Sequence, residues 1–367
     1  MEVLARKFYR ARSFILNRSN WITNRLRLLL TFSLFLVIAG CNLPASTPPS
    51  NLLATLQAIT PLAVSPPAFA EQTATPGPNT IPSTYMPSSA DQPSGHIVFT
   101  CQIYKAQYAE QVCIMNADGS DHRRLTTGDG VRHFYASLAP DGKSMVYSGF
   151  REENVYEIYE YNLSDGSVTR LTDKLGVVTA PEVSPDGKLI TFMRWSPTDN
   201  QYQVWLMDRD GGNAARIPQV LGWDPTWSPS DDQILFAATD KDGRVQLFVT
   251  DLDGKNQHKL SDLPAIRGRN DWSSDGQYIV TYSGEPWHRE VYIMNADGSG
   301  VRQLTPTGGN SQGPSFSPDG KWVVFTAYFD NYGNDHGCEI YIIRVDGTDL
   351  RRLTDNDYCD YQPRWGP

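Results

Sequence analysis

The chain has 367 residues, with 32 lysines and arginines against 41 aspartates and glutamates and a formal net charge of −9. The imbalance sharpens away from the N-terminus, since residues 96–367 carry 25 basic and 38 acidic side chains. So acidic a body is a poor partner for nucleic acid or anionic lipid, although its charge also serves solubility alone.

Residues 1–27 hold seven basic side chains and one acid, Glu2. Leu28 to Gly40 is then apolar or small. Thirteen residues are too few to cross a bilayer, which takes ~20, but suit the apolar region of a signal peptide. The stretch closes Val37-Ile-Ala-Gly40-Cys41, which resembles the lipobox of bacterial lipoprotein signal peptides. That resemblance implies a signal peptide over 1–40, lipidation of Cys41, and an extracytoplasmic protein held at the membrane by its lipid. Residues 41–95 follow as a Pro/Ser/Thr-rich tether. From 42 to 95 there are 11 of the 25 prolines, no Lys or Arg, and only Glu71 and Asp91 as acids. Such a composition buries too little apolar surface to offset its ordering entropy.

From residue 96 the chain repeats. Ser-Pro-Asp-Gly stands at Ser184–Gly187 and Ser317–Gly320, with variants at Ala139–Gly142, Ser228–Asp231 and Ser273–Gly276. The third positions, Asp141, Asp186, Ser230, Asp275 and Asp319, lie 45, 44, 45 and 44 residues apart. A period near 45 with β-type composition predicts a β-propeller with one four-stranded blade per repeat. A second turn, Asp-Gly, recurs at Asp118, Asp165, Asp210, Asp253, Asp297 and Asp346. Each follows an apolar run and most precede a Leu-Thr pair or a relative of it, a hairpin pattern that counts six blades. The apolar residues before the first turn, Leu138, Val183, Trp227, Trp272 and Phe316, are expected to pack between neighbouring blades.

The ends of the repeat region are complementary. Gln362–Trp365 reads as an innermost strand cut off at its turn, and His96–Thr100 as a second strand without an innermost partner. Both termini therefore build blade 1, which leaves no unpaired sheet edge there. With Cys41 lipidated, four cysteines remain. Cys101 and Cys113 fall at the loop end of one hairpin, roughly opposite each other. Cys338 opens the third strand of blade 6, and Cys359 lies in the connection to the closing strand. We pair 101 with 113 and 338 with 359, as suits an exported protein. Zinc would need all four thiols together without any CxxC spacing.

Pro314–Lys321 with Trp322–Thr326, and Glu290–Thr305, resemble the TolB-type β-propeller repeat, and the likeness extends over residues 96–367. The resemblance implies a six-bladed all-β propeller that acts through protein contacts at the cell envelope. A tether stands where that family has an additional α/β domain, so the family's partner does not transfer directly.

Catalytic signals are sparse. Gly309-Asn-Ser-Gln-Gly313 matches the nucleophile-elbow pattern but lies between two blades rather than between a strand and a helix. Asp208–Asn213 and Asp251–Gly254 coincide with hairpin turns. Asp355, Asp357 and Asp360, near Asp330 and Asp335, are the better calcium candidate. No cofactor is implied. The uniform turns occupy one face of the disc and leave recognition to the other. That face carries the candidates Tyr104, Tyr108, His133, Arg151, Trp195, Trp223, Arg267, Trp287, His288, Tyr332, His336 and Tyr358, rich in the aromatic and Arg anchors of binding surfaces. About half are expected to pack beneath their own loops. The reading is of a monomeric, non-catalytic binding or scaffolding module for an envelope protein or glycan. The alternative is a propeller enzyme, either a polysaccharide lyase using those histidines or a peptidase-type propeller without its hydrolase domain.

Overall fold

In the computed structural model, residues 92–102, 110–128, 131–329 and 338–367 are described. Cys41 and the Pro/Ser/Thr-rich segment as far as residue 91, Tyr104, Tyr108, Tyr332 and His336, and the acids Asp330 and Asp335, lie outside them. Among the described residues no helix is long and apolar enough to cross a membrane.

The strands form six antiparallel sheets of four. Blade 1 combines β1 (His96–Gln102), β2 (Glu110–Asn116) and β3 (Arg123–Arg124) with the last strand, β24 (Asp360–Gly366), innermost. From the axis outward, blade 2 is β4 (His133–Leu138), β5 (Ser144–Glu152), β6 (Val155–Asn162) and β7 (Val168–Arg170). Blade 3 is β8 (Val178–Val183), β9 (Leu189–Ser196), β10 (Gln201–Asp208) and β11 (Ala215–Leu221). Blade 4 is β12 (Trp223–Trp227), β13 (Gln233–Thr239), β14 (Val245–Asp251) and β15 (His258–Lys259). Blade 5 is β16 (Asp271–Trp272), β17 (Tyr278–Ser283), β18 (Glu290–Asn295) and β19 (Arg302–Gln303). Blade 6 is β20 (Gln312–Phe316), β21 (Trp322–Ala327), β22 (Glu339–Arg344) and β23 (Arg351–Arg352). The terminal strands pair with His96 opposite Gly366 and Ile97 opposite Trp365, so the ring closes through blade 1 as the repeat phase requires.

Turn chemistry explains the recurring tetrapeptide. In blade 3, Asp186 Oδ1 accepts from the Lys188 N–H at 3.0 Å and from the Ser184 hydroxyl at 2.7 Å. Ser184 Oγ in turn accepts from the Leu189 N–H at 2.9 Å. Gly187 closes the turn at φ 75°, where a Cβ would be strained. Six apolar clusters fill the six seams between blades. Leu138 joins blades 1 and 2, Val183 blades 2 and 3, Trp227 blades 3 and 4, Trp272 blades 4 and 5, and Phe316 blades 5 and 6. Trp365 completes the set between blades 6 and 1.

The Leu-Thr pair also has a physical reason. In blade 6 Thr354 Oγ1 accepts from the Ile340 N–H at 2.9 Å and donates to Glu339 Oε2 at 2.6 Å. The same clasp joins Thr126 to Gln111, Thr172 to Glu157, Ser261 to Gln246 and Thr305 to Glu290. All five acceptors are buried, so each clasp satisfies polar groups that would otherwise be costly. Blade 3 departs from the pattern. Pro218 occupies the Thr position, and β11 runs on to Leu221, where Gly222 alone separates it from β12. A Cβ at Gly222 would lie 2.4 Å from Phe236.

Several connections are tighter than their sequences suggest. β5 and β6 leave only Glu153 and Asn154 between them, β9 and β10 take up half of residues 195–202, and the 221–224 connection shrinks to one residue. Both disulfides form as paired from the sequence, Cys101–Cys113 and Cys338–Cys359, with Cα atoms 5.8 and 4.4 Å apart. Within the hairpin, however, Cys101 lies opposite Gln111 and Cys113 opposite Phe99, so that bridge spans the strands diagonally.

Candidate functional site: the axial cavity

The innermost strands carry an irregularity that the repeat imposes on the axis. Their pairing shifts register at Phe134/Ser137, Thr179/Glu182, Trp223/Thr226 and Gln312/Ser315, and β24 has a matching shift against β1. At the equivalent point of every blade one residue has left-handed φ: Tyr135 55°, Ala180 54°, Asp224 50°, Arg269 35°, Gly313 64° and Gln362 54°. For the non-glycine members such backbone costs about 1–3 kcal/mol each, a strain that bulges use to re-aim side chains.

Below this ring an ionic layer crosses the axis. Arg364 on β24 reaches Glu182 of blade 3 at 2.8 Å and Asp271 of blade 5 at 3.0 Å. Glu182 Oε1 also accepts from the Thr226 hydroxyl at 2.7 Å, and Asp271 Oδ2 from the Ser315 hydroxyl at 2.7 Å. Burial holds the Glu182 carboxyl above the usual range, opposed by Arg364. Burial also pulls the Arg364 guanidinium down, but Glu182 and Asp271 outweigh it and the net displacement is upward. On the turn side of this layer lies a hollow of about 280 Å³ walled by Trp227, Trp272, Phe316 and Trp365.

On the loop side the axis opens into a cavity of about 720 Å³. Its floor is the left-handed ring. Arg269 Nη2 donates to the carbonyls of Gln362 and Pro363 at 3.3 Å each, and the guanidinium lies 4.9 Å from the Tyr135 ring centre. Asp224 Oδ2 accepts from the Arg269 N–H at 2.8 Å, and the buried carboxylate is also held by the Tyr135 hydroxyl. Burial raises the Asp224 carboxyl and lowers the Arg269 guanidinium. The walls are aromatic: Tyr202, Trp223, Tyr282, Tyr328 and Tyr361, with Gln312 between them. Burial pushes the Tyr282 phenol up to about 12. At the rim Arg267 donates to Glu285 Oε2 at 3.1 Å and to the Gly284 carbonyl at 3.3 Å.

The candidates read from the sequence divide by position. Trp223 and Arg267 line the cavity. Trp287 stands beside it, 55% exposed, with its ring 5.6 Å from that of Tyr328 and its backbone at φ 67°. Tyr358 is 37% exposed on the connection that leads to Cys359 and Tyr361. Trp195 packs edge-on against Tyr202, ring centres 5.1 Å apart. Arg151 belongs to blade 2, where it bonds Asp173 at 2.8 Å and Glu157 at 3.3 Å. His133 lies within β4, with Nδ1 2.9 Å from Gln111 Oε1, and burial lowers it to about 4. His288 follows Trp287 on the blade 5 loop, its N–H donating to the Glu285 carbonyl at 2.9 Å. Ser311 of the elbow-like pattern is fully buried. Asp355 pairs with Arg352 at 2.6 Å, Asp360 is buried and accepts from Asn356, and Asp357 follows on the exposed side. Among the described residues no three His, Cys, Asp or Glu side chains are grouped to hold a metal ion.

Sequence reasoning passed over the floor residues, although a signal was present. Each of Tyr135, Ala180, Asp224, Arg269 and Gly313 stands six positions before the third residue of its tetrapeptide turn.

A family model for the TolB beta propeller domain matches residues 86–263 and 195–367. The Tol-Pal system protein TolB of Wolinella succinogenes is 30% identical over 223 residues, which are 55% of this chain and 51% of that protein. An uncharacterized protein of Agrobacterium fabrum is 36% identical over 177 residues, 45% of this chain and 59% of that protein. The chain thus spans little more than half the length of these curated relatives. The crystal structure of TolB from Acinetobacter baumannii has the same fold, with a TM-score of 0.65 at 24% identity over 74% of this chain and 67% of that one.

Proposed function

The chain belongs to the TolB beta propeller domain family, and on that premise we propose that it is an extracytoplasmic lipoprotein whose loop face docks an envelope protein. A propeller of this family supports a binding or scaffolding role. One observation carries the finer reading: the exposed aromatics Trp287 and Tyr358 stand around an aromatic-walled axial cavity, on the side away from the uniform turns. Exposed aromatic anchors beside a concavity are what docking surfaces use. Two disulfides fit an oxidising compartment, and the segment ending at Cys41 supports the lipid anchor.

The enzymatic reading has less behind it. A general base must reach substrate and titrate near working pH, whereas His133 is half-buried against Gln111 and held well below neutrality.

Capture from the envelope fraction tests the docking. Trp287→Ala with Tyr358→Ala should remove the captured protein, and Lys143→Ala with Lys188→Ala on the turn face should retain it. Loss on the turn-face change alone would reverse the assignment. For the anchor, Cys41→Ser should abolish lipid labelling; unmodified wild-type protein would refute it.

A further inference from the structure

The chemistry of the cavity points past a protein rim. Resting on the reading of the loop face as a recognition surface, we infer that the axial cavity itself is a saccharide-binding site that takes an uncharged sugar unit. The volume, about 720 Å³, lies within the ~300–1,000 Å³ of small-molecule sites, and the lining decides among ligand classes.

An anionic ligand would want a free guanidinium fork. Both arginines of the lining are committed: Arg269 to two main-chain carbonyls and Arg267 to Glu285 and Gly284. A cation would face those same two guanidinium groups with Asp224 as the lining's one acid. A neutral polyol avoids both costs. Each of its hydroxyls donates and accepts, and its C–H face packs on an aromatic ring.

The cavity offers the complementary set. Asp224 presents a buried carboxylate served by the Arg269 N–H and the Tyr135 hydroxyl, and Thr326 Oγ1 on the same lining is a buried polar atom without a hydrogen-bond partner among the described residues. The Gln312 and Gln362 carbonyls are taken by Arg289 and Thr100, so their amide nitrogens add donors, the Tyr202 and Tyr282 phenols add groups that both donate and accept, and Trp223 supplies an apolar face. Asp224 occupies the left-handed position, φ 50°, that recurs in every blade, and that bulge places its carboxylate at the floor.

The test uses the full-length protein in detergent, titrated with maltose, cellobiose, chitobiose and lactose. Saturation-transfer NMR on the sugar protons and tryptophan fluorescence report binding. At least one disaccharide should bind, and Trp223→Ala should weaken it by about tenfold or more. Asp224→Asn should weaken it comparably. Tyr202→Phe, which keeps the ring and removes a hydroxyl, should weaken it severalfold with an unaltered melting curve, so a folding defect in the other variants does not decide the matter. Lys143→Ala with Lys188→Ala, on the turn face, should leave sugar affinity within about twofold. No transfer to any of the four sugars, or binding that Trp223→Ala and Tyr202→Phe leave unchanged, overturns the inference. Sugar binding that survives loss of protein capture separates this site from the protein-docking surface.

Discussion

Replacing Arg364 by methionine probes the axis most directly. The guanidinium is buried between Glu182 at 2.8 Å and Asp271 at 3.0 Å, so its removal strands two carboxylates around a void. Breaking a buried ion group by deleting one partner costs about 3–5 kcal/mol, because the remaining charge is uncompensated. The loss should depend on pH. Burial already raises Glu182 above its unfolded value, so its contribution to stability is fullest below about pH 4 and is lost as pH rises through the folded value. Without Arg364 that folded value climbs further. The deficit of the variant relative to wild type should therefore widen from pH 5 to pH 8. Urea unfolding followed by tryptophan fluorescence and far-ultraviolet circular dichroism at both pH values measures it. Adding Glu182→Gln and Asp271→Asn should recover much of the loss at pH 8. A deficit under about 1 kcal/mol that does not change with pH would refute an electrostatic role for the layer.

Three other changes test other parts of the molecule. Thr354→Val keeps shape but leaves the Ile340 N–H and Glu339 without their partner, and should cost about 1–3 kcal/mol in denaturant titration. Burial raises Asp360 to about 7, so its stabilising protonated form is lost between about pH 4 and pH 7. Asp360→Asn should flatten the stability profile over that window and gain up to about 4 kcal/mol above it, read as melting temperature against pH. Trp365→Ala opens the last seam and should cost about 3–5 kcal/mol, whereas Trp287→Ala at the surface should stay within about 0.5 kcal/mol by the same measurement.

The architecture was legible because it repeats. A turn that returns every 44 or 45 residues fixes blade number and strand order, and the phase at each end fixes the closure and with it the neighbourhoods of the cysteines. The axis was not legible for the opposite reason. Its equivalent positions hold Ser137, Glu182, Thr226, Asp271, Ser315 and Arg364, hydroxyls alternating with charged side chains in place of one repeated residue, and its bonds join residues 182 positions apart or 93 apart. Nothing local marks Glu182 as the partner of Arg364. The clasps fell between these cases. Leu-Thr stood out as a motif, while its acceptors are Gln in two blades and Glu in three, so their common role appears only once the hydroxyl is seen between them. Connection lengths were overestimated where strands extend past the blade, as at Phe150–Glu152 in β5, because edge-on aromatic pairs such as Trp195 with Tyr202 hold the hairpins together beyond the apolar run.

The closure strand also determines how the molecule bears a mechanical load. The segment before β1 enters beside the last residue, where His96 Nδ1 lies 2.9 Å from the Pro367 carbonyl and Trp365 Nε1 donates to the Ser94 carbonyl at 2.8 Å. A pull between that entry point and a ligand on the loop face runs along the length of β1. Its hydrogen bonds to β2 and β24 then lie across the line of force and resist together, in shear, instead of parting one after another. Near the distal end of β1 the Cys101–Cys113 bridge pins the strand covalently to its neighbour. Along that line β1 is held by two ladders and a covalent bridge at once.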